Sequence, residues 1–160
     1  MSIMNTTNIN TTKRIAFVVH ADKKNELIEW SYFNKSLLAQ HEIIASGEAA
    51  NILEGTLNTP VQTYITGPYN GYQDLGELIA EGNIDALILF GHADETQLQA
   101  NGIKALIETA LDANVIIALN TVTADFILQS RLMDKKKPVD SKCYSIPAGQ
   151  DEPSKQMHAA

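Results

Sequence analysis

Short, continuous apolar runs alternate along this chain with longer stretches in which apolar residues recur every three or four positions. From Arg14, the run Ile15-Ala16-Phe17-Val18-Val19 is rich in branched side chains, the pattern of a strand covered on both faces in a parallel sheet. Lys24 to Gln40 then places Leu27, Ile28, Trp30, Phe33, Leu37 and Leu38 at helical spacing, with Lys23, Lys24, Glu26, Glu29 and Lys35 between or beside them. This predicts one helix whose aromatic and aliphatic stripe packs into the core. The alternation repeats through HEIIAS (strand), the stretch after Gly47 with Ile52 and Leu53 inward (helix), VQTYIT (strand), Gln73 to Glu81 (helix) and IDALILF (strand). Gly102 to Asp112 reads as a helix, VIIAL as a strand and Thr121 to Ser130 as a helix, and past Ser130 the pattern decays. Strands and helices alternating at this spacing predict βαβ units with right-handed crossovers, hence an α/β fold with three layers around a doubly wound, mainly parallel sheet.

Length and composition narrow the picture. With 160 residues, 44% hydrophobic and 19% charged, the chain fits one compact domain. Residues 1–12 read as a flexible polar leader, 13–146 as the domain and 147–160 as a mobile tail. Twelve Lys+Arg against nineteen Asp+Glu give a formal net charge of -7, which argues against nucleic acid as a partner. The leader lacks the apolar region of a secretory signal, and no apolar run approaches the roughly 18–20 residues of a membrane span. The single Cys143 can form neither an internal disulfide nor a cysteine zinc cluster, so a reducing cytoplasm is the expected setting.

On a doubly wound sheet ligands sit beyond the carboxyl ends of the strands, so the informative residues follow the apolar runs. Those places read His20-Ala21-Asp22, Ser46-Gly47-Glu48, Thr66 to Tyr72 (TGPYNGY), Gly91-His92-Ala93-Asp94 and Asn120 to Thr123. His20 and His92, with Asp22 or Asp94, have no ligand spacing on one element, and neither a metal nor a cofactor is expected.

These segments, with IAFVVHADKK, IASGEAANIL, TGPYNGYQDLGELIAEGNIDALILF, GIKAL and NTVTADFILQS, resemble methylglyoxal synthases over about Arg14 to Ser130. The resemblance implies a Rossmann-like, methylglyoxal synthase-like fold and assembly into a homohexamer. It also implies an ancestral reaction, the elimination of phosphate from dihydroxyacetone phosphate. That reaction needs a carboxylate base, a neutral donor on the substrate carbonyl and a nest of donors around the phosphate.

In that register the place of the family's catalytic aspartate is Tyr72, and a phenol with an ordinary pKa near 10 is a poor base at neutral pH. Asp74, two residues on, is turned by about 200° along a helix and reads as a weak substitute, an acid favoured by the helix dipole. The place of the family's carbonyl-polarising histidine is Gln99, its following aspartate falls at Gly102, and His92 stands where another aspartate is expected. His20 is kept, but its acidic neighbour is Ala21. Around the phosphate, Lys24, Thr66 and Gly67 remain and Ser46 can replace a threonine, while Glu48 and Ala49 occupy the places of paired threonines. A Glu48 carboxylate repels a phosphate by about 1–4 kcal/mol at ~4 Å.

The candidate ligand-binding set is therefore His20, Lys24, Ser46, Gly47, Glu48, Thr66, Gly67, Gly71, Tyr72 and His92, with no catalytic residue assigned. Because base, electrophile and phosphate donors change together, the expectation is a non-catalytic homo-oligomer that regulates, or binds a small metabolite or protein partner. Two alternatives are an active synthase using Asp74 or Glu48 as base, and a different lyase or isomerase using Tyr72, His20 and His92.

Overall fold

A computed structural model describes residues 12–66, 72–91 and 102–134. Strand β1 (Arg14–Val19) leads through a 3-10 turn (Ala21–Lys23) into α1 (Lys24–Phe33) and the short α2 (Lys35–Leu38). Next come β2 (Glu42–Ala45), α3 (Gly47–Leu57), β3 (Gln62–Thr63), α4 (Gln73–Ala80) and β4 (Ala86–Phe90). The described chain ends with α5 (Ile103–Asp112), β5 (Ile116–Ala118), α6 (Thr121–Gln129) and a second 3-10 turn (Arg131–Asp134). The five strands pair in the order β3-β2-β1-β4-β5, and every pairing is parallel.

The pleat divides the core. Ile15, Phe17, Ile43, Ala45, Ile88 and Phe90 point to one face, where they meet Leu27, Trp30 and Leu38 of α1 and α2, Leu53 of α3 and Leu128 of α6. Ala16, Val18, Ile44, Leu87 and Leu89 point to the other, where α4 and α5 bring Leu75, Ile79 and Leu106. Strands buried on both faces need continuous apolar sequence, and all five residues of β4 are buried.

The single helix expected over Lys24 to Gln40 is broken at Asn34. The Asn34 amide donates to the Trp30 carbonyl at 3.0 Å and to Asp125 Oδ1 at 3.3 Å, so its side chain bonds where a helical residue would only pack. Only part of the expected stripe is buried. Leu27, Trp30 and Leu38 are buried, whereas Phe33 is 85% exposed and Ile28 is exposed too, contrary to the expected core role of both. The decay after Ser130 also proves incomplete, because the second 3-10 turn buries Met133 in the core.

At the amino end of the sheet the Lys13 N–H donates to His41 Nδ1 at 3.1 Å. Burial, then Lys13, holds the imidazole below its ordinary pKa, which suits the neutral ring that this acceptor role needs. No described helix is long and apolar enough to cross a membrane.

Candidate functional site

The ladder between β1 and β2 ends early. β1 pairs with β4 as far as Val19 and Phe90, but with β2 only as far as Ala16 and Ile44. Beyond that point side chains join the strands. Tyr64, just past β3, donates its N–H to the Ala45 carbonyl at 3.2 Å and its phenol O–H to the Phe17 carbonyl at 2.7 Å. A backbone carbonyl buried in a sheet needs a donor, and here the phenol supplies it. Tyr64 is 3% exposed.

Ser46 precedes α3 in extended conformation, yet its hydroxyl makes no capping bond to the helix. That hydroxyl faces the Tyr64 phenol and acts to lower its pKa. Gly47 follows with φ +36°, a backbone state that disfavours any side chain. Glu48, in the first turn of α3, reaches back to Lys24, the first residue of α1, and its Oε2 forms an ion pair with the ammonium group. The donor expected to serve a phosphate thus holds a carboxylate of its own chain.

Tyr72 immediately precedes α4, half-buried against the second apolar cluster. Its ring meets that of Tyr64 edge to face, with centroids 6.4 Å apart and planes at 61°. Burial raises the Tyr72 phenol above its usual value of 10. Burial also drives Tyr64 well upward, against the pull of the Ser46 hydroxyl and with a small addition from Tyr72. Asp74 Oδ2 accepts the Ile65 N–H at 3.1 Å and ties the segment after β3 to α4. Thr66, exposed, is the last described residue of that segment.

The two phenols set a pH dependence at the alkaline end. A group whose folded pKa is raised gives stability that is complete below its unfolded value and is lost as pH rises through the folded one. Stability should therefore be level up to about pH 10 and fall above it. Urea midpoints from pH 8 to 11.5 check this, and Tyr64→Phe should flatten the fall. A midpoint that stays level to pH 11.5 in the unsubstituted chain would contradict the burial of these phenols.

His20 links β1 to β4 through its N–H, which donates to the Phe90 carbonyl at 2.8 Å. Its Nδ1 accepts the Asp22 N–H at 3.3 Å and lies 3.7 Å from the Asp22 carboxylate. Lys23 pairs with Glu26 at 3.3 Å.

The structure thus gathers Ser46 and Tyr72 around the Tyr64 phenol, and pairs Lys24 with Glu48 at the starts of α1 and α3. Gly67, Tyr69, Asn70, Gly71, His92, Asp94 and Gln99 lie outside the described residues. Tyr64 was missed by sequence reasoning. The only signal was a large polar-tipped ring in a run, VQTYIT, that otherwise reads as a plain strand.

No protein-family model matches the chain. A methylglyoxal synthase of Pseudoalteromonas atlantica is 41% identical over 120 residues, covering 75% of this chain and 89% of the relative. One from Coxiella burnetii is 40% identical over 124 residues, covering 78% and 87%. Among solved structures, methylglyoxal synthase from Elizabethkingia anophelis superposes with a TM-score of 0.71 at 32% identity, covering 86% of this chain and 95% of that one.

Proposed function

Since the chain belongs to the methylglyoxal synthase family, we propose that it keeps the family's scaffold without the family's phosphate elimination and serves as a regulatory, ligand- or partner-binding homo-oligomer. The carrying observation is Tyr72. In the register of the resemblance it takes the place of the base, and its phenol is half-buried, packed on the Tyr64 ring and raised in pKa, so at neutral pH it is a protonated group that cannot take a proton from carbon. General-base catalysis typically contributes about 10²–10⁴-fold, a loss that no neighbouring described acid makes good. Asp74 is engaged by the Ile65 amide and Glu48 by Lys24.

The oligomer reading is supported by apolar surface. Val122 and Phe126, four residues apart on α6, are 63% and 77% exposed, and Leu119 beside them past β5 is exposed as well. A closed homo-oligomer, with a hexamer as the family's form, covers such a face with copies of the same chain. A reducing cytoplasm suits the single Cys143.

Incubation of the purified protein with dihydroxyacetone phosphate tests the reading. Released phosphate and methylglyoxal should not exceed the protein-free blank. Turnover at the level of an ordinary family member would overturn the proposal.

A further inference from the structure

At the amino end of the sheet, opposite the pole that carries the candidate site, two side chains hold the head of β1 just before its ladders begin. On one side the Lys13 N–H donates to His41 Nδ1 at 3.1 Å, and the Glu42 N–H returns a bond to the Lys13 carbonyl at 2.9 Å. On the other the Arg14 N–H donates to Asp85 Oδ2 at 2.9 Å, and the Asp85 N–H returns a bond to the Arg14 carbonyl at 2.9 Å. The two clasps respond differently to a proton. A carboxyl keeps an acceptor oxygen after protonation, whereas an imidazole nitrogen that takes a proton becomes a donor and can no longer receive the Lys13 N–H. Lys13 is only 4% exposed, so an acceptor lost there is costly to replace.

Charged groups face the ring from three elements. Lys13 at the head of β1 disfavours a second positive charge, whereas Asp134 of the second 3-10 turn and Asp85 before β4 favour one. Arg14 and Glu42, also at this end, pair with each other at 3.3 Å. His41 is itself anchored to the end of α2, where its N–H donates to the Leu38 carbonyl at 3.0 Å. The ring thus stands between an acceptor role toward β1 and a donor role toward two carboxylates.

We propose that His41 is a proton-operated clasp: neutral, it fastens the head of β1 to β2; protonated, it gives up the Lys13 N–H for the Asp85 and Asp134 carboxylates and frees the start of the strand. Burial and then Lys13 hold the imidazole below its ordinary value of 6.5. The stability it confers is therefore complete above that pH and is lost as pH falls through the lower folded value. Only one end of the sheet opens, because β1 stays paired with β4 from Ile15 to Val19.

Two-dimensional NMR on the full chain between pH 7.5 and 4.5 reads both partners at once. The Lys13 amide shift should follow the His41 ring protons on a single curve with its midpoint below 6.5. Protection of that amide against hydrogen exchange, corrected for the intrinsic rate, should fall about tenfold, the change expected for one lost hydrogen bond. His41→Asn and His41→Gln each keep an acceptor carbonyl but do not titrate, and in either of them the Lys13 amide should stay level over the same range. Should neither variant fold, the coincidence of the two curves in the unsubstituted chain still decides. A ring that stays neutral to pH 4.5, a Lys13 amide that does not move with the ring, or the same Lys13 change in a variant without the imidazole would overturn the proposal.

Discussion

Phe17→Ala should lower the unfolding free energy by about 3–5 kcal/mol, the usual range for deleting a buried aromatic ring. Phe17 is fully buried in the middle of β1. Its ring lies 5.9 Å from that of Trp30 and 6.4 Å from that of Phe90, and the last two meet edge to face at 5.4 Å. Three rings from β1, α1 and β4 thus fill one volume, and rigid strands on either side prevent its collapse when one ring goes. Urea unfolding should show a lower midpoint at an unchanged slope. Phe17→Leu, which keeps most of the volume, should cost less than half as much. A loss under 1 kcal/mol for the alanine variant would mean that the three rings do not pack as one unit.

Asp125→Ala is expected to cost about 2–3 kcal/mol. Its Oδ1 accepts the Trp30 indole N–H at 2.8 Å and the Asn34 amide at 3.3 Å, and both donors belong to buried residues. The substitution leaves two donors facing an apolar contact between α1, α2 and α6, and it removes the bond that holds Asn34 in the helix break. Asp125→Asn keeps an acceptor in place and should recover more than half of the loss. If the asparagine variant falls as far as the alanine one, the negative charge rather than the acceptor geometry holds these elements together. The same aspartate sits in TADFILQS, one of the segments that carry the family resemblance, and its task there is to fasten the last helix to the first.

Much of the architecture was legible because parallel strands buried on both faces cannot hide their composition. IAFVV and IDALILF announce β1 and β4, and the helical periods between runs announce the covering layers. What escaped reading depends on partners far away in sequence. The helix break at Asn34 goes with its bond to Asp125, 91 residues on. Tyr64 reads as a strand residue until the Phe17 carbonyl, 47 residues earlier, is seen to lack a strand partner on that side. At the site, Tyr72 and Glu48 are singled out in sequence only by the family resemblance. The pairing of Glu48 with Lys24 was not legible there, because the residues are brought together only when α1 and α3 pack side by side.

The early end of the β1–β2 ladder also bears on how this chain can change over generations. Where strands are joined by ladder bonds, a substitution leaves the backbone pairing intact but must respect the layer above and below. Past Ala16 and Ile44 the join is made by the buried Tyr64 phenol, while β1 stays paired to β4 as far as Val19 and Phe90. The exposed residues around that join can turn over while Tyr64 and the β1–β4 ladder hold the sheet, so the chemistry of this pole can diverge on a scaffold that stays recognisable.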